Sequence, residues 1–210
     1  MIIKICGLTS VDEVDYLSEN GVDLAGMVLF FKKSKRNITI EKAKEIIGEL
    51  KQKKIKAVAV TVSPSNEQVQ EIESAGFDYI QIHGTVEDEL ISNCKIPVLK
   101  AFNVDDLPKY EAYLKIDNIA GFVFDAGEPG SGKTFDWNML GKLDRIDGKL
   151  YILAGGLNEE NVKEAIDFVK PDGVDVSSGV ELPNVVLEDG TIITGKDPLK
   201  IKQFVNSVRL

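Results

Sequence analysis

Two residues that could transfer protons each stand directly after a short apolar run. Cys6 follows residues 2–5, and Asp125 follows Phe122-Val123-Phe124. A thiolate is a good base, but a free thiol has a pKa of about 8.5 and needs a local positive field to ionise at neutral pH. A carboxyl group can serve as a general acid there only if partial burial or a nearby anion raises its pKa. Both residues also have structural interpretations, as a buried core thiol and as a turn cap.

Two later segments, residues 154–158 and 174–179, are rich in small side chains and each ends an apolar run. Small residues let backbone N–H groups approach an anion, and the N-terminus of a following helix favours negative charge. The segments therefore predict a phosphate site, with ordinary tight turns as the alternative. Asp175, in the second segment, has the same ambiguity as Asp125. The residues expected to bind phosphate are Gly155, Gly156, Ser177 and Ser178.

Arg36 and His83 are two further candidates. Arg36 ends the basic run of residues 32–36, which forms a solvated face unless the guanidinium binds a carboxylate through two hydrogen bonds. His83 is the only histidine in the chain and follows another apolar run. Because zinc sites need three or four ligands, a single histidine gives no metal cluster. His83 is interpreted as a polar neighbour of the site or as a structural residue.

Residues 127–134 match the Gly-x-x-x-x-Gly-Lys-Thr pattern of nucleotide-binding P-loops. A P-loop continues directly into a helix, whereas Thr134-Phe135-Asp136 predicts a loop that ends at an Asp136 N-cap. The segment also follows the sixth predicted strand rather than an early one. We therefore interpret it as a glycine-rich active-site loop with one lysine.

Short β-type runs alternate with longer amphipathic stretches throughout. Strands are predicted at residues 2–5, 24–31, 55–62, 79–82, 97–101, 120–124, 150–153 and 173–176. Helices are predicted to start at Thr9 or Ser10, at 40–50, 65–74, 86–93 and 105–114, from 136, and at 158–169 and 197–208. Strict alternation demands parallel strands joined by helices, and eight units favour an α/β fold, a single (β/α)₈ TIM barrel over residues 1–210. The competitor, an open doubly wound sheet, lacks its Gly-x-Gly-x-x-Gly turn here.

The barrel would bring the candidates together, because the active sites of such barrels lie at the C-terminal ends of the strands. All of the candidate residues above stand at such ends. Residues 184–194 depart from the alternation: two β-type runs flank Asp189-Gly190, which predicts an extra hairpin between the eighth strand and its helix. We expect this hairpin to be peripheral to chemistry.

Composition limits the classes of partner. The chain has 25 basic and 34 acidic residues, a net charge of -9, which argues against nucleic-acid or anionic-membrane binding but allows a small anionic substrate in a local positive pocket. No apolar run reaches the roughly 20 residues of a membrane span, and the N-terminus lacks a signal-peptide pattern. Two cysteines make no disulfide framework and indicate a reducing compartment, the cytoplasm. The expected assembly is a monomer or a homodimer.

Taken together and in order, these segments resemble phosphoribosylanthranilate isomerase of tryptophan biosynthesis. The resemblance covers nearly the whole chain, and several motifs in the right order are more specific than any one of them. The motifs are Lys4-Ile5-Cys6-Gly7-Leu8-Thr9, Ser34-Lys35-Arg36, Gln81-Ile82-His83-Gly84, Asp125 with residues 130–137, residues 154–157 with Asn161-Val162, and residues 174–181.

The resemblance implies a small, cofactor-free barrel that performs an Amadori rearrangement without metal or hydride transfer. N-(5-phosphoribosyl)anthranilate would become 1-(2-carboxyphenylamino)-1-deoxyribulose 5-phosphate. By position, Cys6 matches the family's general base, Asp125 its general acid, and Arg36 the residue that binds the anthranilate carboxylate. The two small-residue segments match its phosphate site. His83 and Asp175 are expected to contact the substrate, and it stays open whether Asp175 also acts in the chemistry.

Three other interpretations remain at this point. A related barrel isomerises a bulkier phosphoribosyl aminoimidazole, but such barrels usually carry an aspartate where this chain has Cys6. A non-catalytic phosphosugar-binding barrel would not need Cys6 or Asp125, and a P-loop protein would bind ATP with magnesium. The chain also departs from the family pattern at Phe31-Lys32-Lys33, where an apolar or proline-containing approach to Ser34 is usual.

Overall fold

A computed structural model describes residues 1–125, 137, 140, 143–186, 189–190 and 192–210. The glycine-rich segment 127–134 and the start of the helix predicted from residue 136 lie outside these residues. No helix in the described part is both long enough and apolar enough to cross a membrane.

Eight parallel strands close into a barrel, as the βα alternation predicts. They are β1 (Ile2–Cys6), β2 (Leu24–Leu29), β4 (Lys56–Val62), β5 (Tyr79–His83), β6 (Val98–Phe102), β7 (Ile119–Phe124), β8 (Leu150–Leu153) and β9 (Gly173–Val176), while the short β3 (Asn37–Ile38) extends the sheet beside β2. Each barrel strand pairs with the next one along the chain, and β1 pairs with both β2 and β9. Closure thus joins the first strand to the last.

Some of the helices that accompany these strands follow the capping signals in the sequence. The helices of the described part are α1 (Glu13–Glu19), α2 (Ile40–Gln52), α3 (Asn66–Ala75), α4 (Asp88–Asn93), α5 (Tyr110–Tyr113), α6 (Val162–Val169) and α7 (Pro198–Arg209), with 3₁₀ turns at Val104–Lys109 and Ser178–Val180. The first of them, α1, begins at Glu13 with Asp12 before it, not at the predicted Thr9 or Ser10 cap. Ser65 caps α3 by accepting from Gln68 N, and Asp197 caps α7 by accepting from Leu199 N. These caps satisfy backbone donors that have no partner within a helix.

Side chains of the strands alternate between the inside of the barrel and the layer beneath the helices. In β4, Val58 and Val60 belong to a small apolar cluster inside the barrel, whereas Ala57 and Ala59 belong to the larger cluster between strands and helices. The inner cluster is formed by Leu24, Val28, Val58, Val60, Leu99, Ala101, Val123, Ile152 and Ala154. The barrel is therefore filled with side chains, and its open space lies at the strand ends.

The second strand is shorter than predicted. Residues 24–31 were expected to be extended, but β2 ends at Leu29 because Phe30 has a φ of 58°, in the left-handed region. Phe31 N donates to the side-chain oxygen of Asn37 at 2.8 Å, so the chain turns here and returns as β3. An apolar residue at position 30 gives no sign of this turn in the sequence.

The fifth helix also differs from the prediction. Residues 105–114 were expected to form one helix, but the structure has a 3₁₀ segment, Val104–Lys109, followed by the single α-helical turn of α5. Pro108 lies inside the 3₁₀ segment and lacks the N–H that an α-helix would use. The proline therefore accounts for the interruption.

The extra hairpin is present between the last barrel strand and α7. Its strands β10 (Val185–Val186) and β11 (Ile192–Ile193) pair in antiparallel fashion, with Val185 opposite Ile193. A further antiparallel bridge joins Glu181 to Lys196 at its base. The base of the hairpin therefore lies next to the end of β9, while Val185, Val186 and Ile192 are exposed.

Candidate active site

Two connected cavities open at the C-terminal ends of the barrel strands. The deeper one, of about 70 Å³, and the wider one, of about 600 Å³, share Cys6, His83, Asp125, Ser177 and Ser178 in their walls. Asp175, Gly155 and Gly156 line only the deeper cavity, and Arg36 lines only the wider one. The structure thus brings together all nine residues that the sequence singles out, and the wider cavity is large enough for a small substrate.

Cys6 ends β1 and is partly exposed to the deeper cavity. The chain turns away immediately, at Gly7, whose φ is 86° and whose N–H donates to Gly26 O at 2.8 Å. A Cβ on Gly7 would lie 2.5 Å from Cδ of Arg36. Glycine is needed at this position for its backbone conformation and for the close approach of Arg36.

A buried ion pair lies beneath Cys6. Lys4 and Asp175 stand opposite each other on β1 and β9, and Lys4 Nζ donates to Asp175 Oδ2 at 2.7 Å. The Lys4 side chain is fully buried. Asp175 Oδ1 is also buried, and no hydrogen-bond partner for it exists among the described residues. This second oxygen of a residue in the cavity wall can accept a hydrogen bond from a ligand.

The charges around Cys6 act in opposite directions on its thiol. Burial raises the pKa of Cys6, and the carboxylate of Asp175 adds to this rise. The cations of Lys4, Lys196 and Arg36 lower it, but the pKa remains above its ordinary value. The resting thiol is therefore mainly protonated near neutral pH, and any further positive charge in the cavity would favour its ionisation.

Glu181 gathers three cations beside the cavity. Its carboxylate accepts from Nε and Nη2 of Arg36, from Lys35 Nζ at 2.8 Å and from Lys196 Nζ at 3.2 Å. Burial alone would raise the pKa of Glu181, but these cations lower it to about 2. The basic run 32–36 is therefore more than a solvated face, since Lys35 and Arg36 are partly buried and paired with an acidic partner.

Lys196 links this cluster to the end of β9. Its buried ammonium donates to Ser177 O at 3.2 Å as well as to Glu181, while its backbone N–H donates to Glu13 Oε1 at 2.6 Å. Ser177 Oγ in turn donates to Cys6 O at 2.9 Å. The segment before α7 thus holds the ends of the first and last barrel strands together.

His83 ends β5 and faces both cavities as a neutral imidazole. Burial, with smaller contributions from Lys100 and Lys4, lowers its pKa to about 3. Its Nε2 lies 2.8 Å from the amide nitrogen of Gln81, which donates to the unprotonated ring nitrogen in this orientation. The proton of the ring is then on Nδ1.

The two small-residue segments form turns at the floor of the deeper cavity. Gly155 and Gly156 have φ values of 84° and 66°, and the Asn161 side chain donates to Gly156 O at 2.9 Å. The predicted start of the following helix was wrong: α6 begins at Val162, because residues 158–161 are not helical and 159–161 form a turn. The helix N-terminus that was expected to favour the phosphate therefore lies four residues later in the chain than the sequence predicts.

Asp125 directly follows β7 and lines both cavities. Its backbone N–H donates to Phe102 O at 2.9 Å, which continues the pairing of β7 with β6 by one residue. The strand thereby fixes the position from which the carboxyl group extends.

Sequence reasoning did not assign a role to several residues that shape this site. Lys4 lies two residues before Cys6, so the two-residue period of a strand could have placed both on the interior face. Gln81 Oε1 and Asn103 Oδ1 are buried, have no hydrogen-bond partner among the described residues and lie in cavity walls. The contact of Glu181 with Arg36 joins residues 145 positions apart and leaves no local signal.

Comparison with known proteins identifies the family. Residues 3–207 match the family model described as N-(5'-phosphoribosyl)anthranilate (PRA) isomerase. The chain is 39% identical to N-(5'-phosphoribosyl)anthranilate isomerase of Listeria welshimeri, over 100% of this chain and 98% of the relative. It superimposes on the phosphoribosyl anthranilate isomerase of Thermotoga maritima with a TM-score of 0.82 and 36% identity, covering 100% and 99% of the two chains.

A second solved structure was determined with a ligand. It is a phosphoribosyl anthranilate isomerase in complex with reduced 1-(o-carboxyphenylamino)-1-deoxyribulose 5-phosphate, with a TM-score of 0.80 and 33% identity, covering 100% of this chain and 99% of that one. The family model and the full-length relative each match nearly the whole chain. On this evidence the chain belongs to the N-(5'-phosphoribosyl)anthranilate isomerase family.

Proposed function

We propose that the chain isomerises N-(5-phosphoribosyl)anthranilate in tryptophan biosynthesis, with Cys6 as the general base and Asp125 as the general acid. The observation that carries the proposal is that both residues lie in the walls of the same two cavities. The glycine turn of the predicted phosphate site lines the deeper cavity, and Arg36 lines the wider one. Membership of the family supports the substrate class.

The reaction begins with opening of the furanose ring. Asp125 donates a proton to the ring oxygen as the bond from that oxygen to the anomeric carbon breaks, and the lone pair of the aryl amine forms a C=N bond to give a protonated imine. For this step the carboxyl group must carry a proton at neutral pH, and the substrate phosphate and carboxylate favour protonation by adding negative charge nearby.

The thiolate of Cys6 then removes the proton from C2′. The electron pair of that C–H bond moves into the imine system to give an enolamine, which tautomerises to the aminoketone. The cations of Lys4, Lys196 and Arg36 favour the thiolate that this step requires.

Binding of the substrate uses the remaining walls of the cavities. The phosphate lies against the turns at Gly155, Gly156, Ser177 and Ser178, and backbone N–H groups of such turns are suitable donors to an anion. Arg36 binds the anthranilate carboxylate. Glu181 already engages Nε and one N–H of Nη2, so the donors left for the substrate are those of Nη1 and the second N–H of Nη2.

The other polar groups of the deeper cavity are suited to the sugar hydroxyls. Asp175 Oδ1 offers an acceptor, and the neutral ring of His83 offers one donor through Nδ1. Neither group has to change its charge for this role.

Turnover by the purified chain tests the assignment. Phosphoribosylanthranilate generated in place is followed by its fluorescence, with EDTA present and no nucleotide added. We expect wild-type turnover and a loss of about 10²-fold or more in kcat for Cys6→Ser and for Asp125→Asn, the usual scale for a general acid or base.

Circular dichroism of each variant serves as the control for folding. A near-wild-type rate in either folded variant contradicts the role of that residue. A folded wild-type chain that binds the reduced product analogue without turnover contradicts the isomerase and favours a non-catalytic phosphosugar-binding barrel.

A further inference from the structure

A fully buried ammonium group lies close to the proposed base. Lys4 precedes Cys6 by two residues on β1, so both side chains are on the same face of the strand. Lys4 Nζ is 2.7 Å from Asp175 Oδ2. Burying two charges is costly even when they are paired, and apolar side chains of the same size would fill this space at least as well. Stability alone therefore gives no reason for a lysine here.

Gly26 on β2 opens the space that the ammonium and the thiol share. A Cβ placed on Gly26 would lie 2.9 Å from Cys6 Sγ and 3.2 Å from Lys4 Nζ. The two groups thus border one small region inside the barrel. Since Gly26 has no side chain, nothing from β2 separates them at that point.

The other charged groups near Cys6 differ from Lys4 in how they are held. Lys196, from the segment before α7, and Arg36, from the loop after β2, both bind Glu181. His83 on β5 is neutral, and Asp125 follows β7 in the cavity wall. Lys4 differs from these cations because its partner, Asp175, lies in the cavity wall and has a second oxygen, Oδ1, without a hydrogen-bond partner among the described residues.

We propose that Lys4 is a positioning residue for the isomerisation: its ammonium, fixed on Asp175, stabilises the negative charge that forms on Cys6 Sγ when the thiol proton leaves. The inference rests on the proposed function, in which the thiolate is the base. The proton of the thiol passes to water in the cavity, and the thiolate later forms a new S–H bond as the C2′–H bond of the substrate breaks. Lys4 keeps its own proton throughout.

The direction of the charge effects agrees with this role. Burial acts to lower the pKa of Lys4, but the Asp175 carboxylate, together with the Cys6 thiolate when it forms, more than compensates and leaves it raised. Lys4 lowers the pKa of the Cys6 thiol, whereas Asp175 raises it. Removing one or the other charge should therefore change the thiol in opposite directions.

The reactivity of the thiol measures this effect without any turnover. Iodoacetamide alkylates the thiolate form, so the pH dependence of its rate reports the ionisation of Cys6. The measurement uses a Cys94→Ala background, which removes the second thiol. We expect Lys4→Met to slow alkylation at pH 7.5 by about tenfold, the change for a pKa rise of one unit. Asp175→Asn should accelerate it.

A surface lysine provides the matched control. Lys56 forms an ion pair of the same length with Asp78 at the opposite end of the barrel strands and is exposed. Lys56→Met should leave the alkylation profile of Cys6 unchanged. A shift of similar size in this variant would overturn the inference, because it would show a non-specific loss of positive charge.

Lys4→Met leaves Asp175 buried without its partner and can fail to fold. The comparison of Asp175→Asn with the double variant Lys4→Met/Asp175→Asn avoids this, because neither contains an unpaired buried carboxylate and, in Asp175→Asn, the amide oxygen at position 175 can still accept from the Lys4 ammonium. The proposal requires slower alkylation in the double variant than in Asp175→Asn. Identical profiles for these two proteins overturn it.

Turnover separates this inference from the proposed function. If Cys6→Ser loses turnover while Lys4 has no effect on alkylation, the base assignment stands and the role of Lys4 is overturned. If Cys6→Ser keeps full turnover, the base assignment fails, and the role of Lys4 in the isomerisation fails with it. Support requires both the alkylation difference and a shift of the kcat/KM profile to higher pH when Lys4 is replaced.

Discussion

Arg36 reaches the candidate site with half of its guanidinium already bound. Its Nε and Nη2 donate hydrogen bonds to the carboxylate of Glu181. The aliphatic part of the Arg36 side chain packs over Gly7, where a Cβ would collide with it. A guanidinium held in this way loses less freedom when it binds a substrate carboxylate, so its orientation is prepared in advance. Lysine in the same place would have a single charged centre and could not keep both contacts.

We expect Arg36→Lys to raise KM about tenfold with a smaller change in kcat, because the carboxylate of anthranilate does not change charge during the reaction. Steady-state kinetics at fixed ionic strength checks this. The exposed Lys32, changed to Met, is the control for general loss of positive charge. An unchanged KM in Arg36→Lys, or an equal rise in the control, contradicts the proposed contact.

Among the elements, the hairpin of β10 and β11 contacts the site through described residues at its base. Lys35 donates to the Asn184 side chain at 2.6 Å, and Thr9 Oγ1 donates to Thr194 O at 3.2 Å. Glu181 and Lys196, which hold the cations and the strand ends, flank the hairpin and do not belong to its strands. Val185, Val186 and Ile192 are exposed beyond it.

Replacing residues 185–193 by a short Gly-Ser link, while keeping Asn184 and Thr194, should therefore leave kcat and KM within about twofold of wild type. Turnover of the folded variant and its melting temperature check this, since long surface segments are tolerated or removed at small cost when no buried backbone depends on them. A large loss of turnover without loss of folding would contradict the peripheral position of the hairpin.

The elements also show which parts of the structure can be predicted from sequence. The barrel and the strand ends follow from apolar runs of strand length, glycine and capping residues, and these local signals located all nine candidate residues. Two of the misplaced boundaries have local exceptions as their cause: Phe30 adopts a left-handed conformation without being glycine, and Pro108 interrupts a helical pattern. The partners of Arg36 could not be predicted, because Glu181 is brought to it by closure of the barrel.

At the scale of the whole molecule, the charge near the cavities is opposite to that of the chain. The chain carries a net charge of -9, yet Lys4, Lys35, Arg36 and Lys196 meet only two carboxylates, Asp175 and Glu181, in the ion pairs described there. An anionic substrate is repelled weakly at a distance and attracted at the mouth. Because both effects are screened within about 10 Å at moderate salt, the local excess dominates.

Stability should decline in acid before most carboxylates titrate. The pKa of His83 is lowered to about 3 in the folded chain, while the unfolded chain takes up this proton near 6.5. A depressed folded pKa gives stability that is present above pH 6.5 and is lost as the pH falls toward 3. The loss from His83 is at most about 1.4 kcal/mol per pH unit, the value for one proton. Glu181 adds to it only below about pH 4.5.

Urea unfolding of wild type and His83→Gln between pH 7.5 and 4.5 isolates this contribution, since all other groups are common to both proteins. We expect the free energy of unfolding of wild type to fall more steeply with decreasing pH than that of the variant. Parallel curves would show that His83 is not buried as a neutral ring.

The pairing of Lys4 with Asp175 has a consequence for the order in which the protein is built. These residues are 171 positions apart, on the strands whose pairing completes the barrel, and Lys196 lies later still. Contacts so distant in the chain form late in folding, after most of the loop entropy has been lost. A nascent or truncated chain that already holds Cys6 and Asp125 would therefore still lack Asp175, Glu181 and Lys196. Because burial and Asp175 raise the pKa of Cys6 in the closed barrel, a fall in its alkylation rate would report the docking of β9 and would time the final closure of the molecule during refolding.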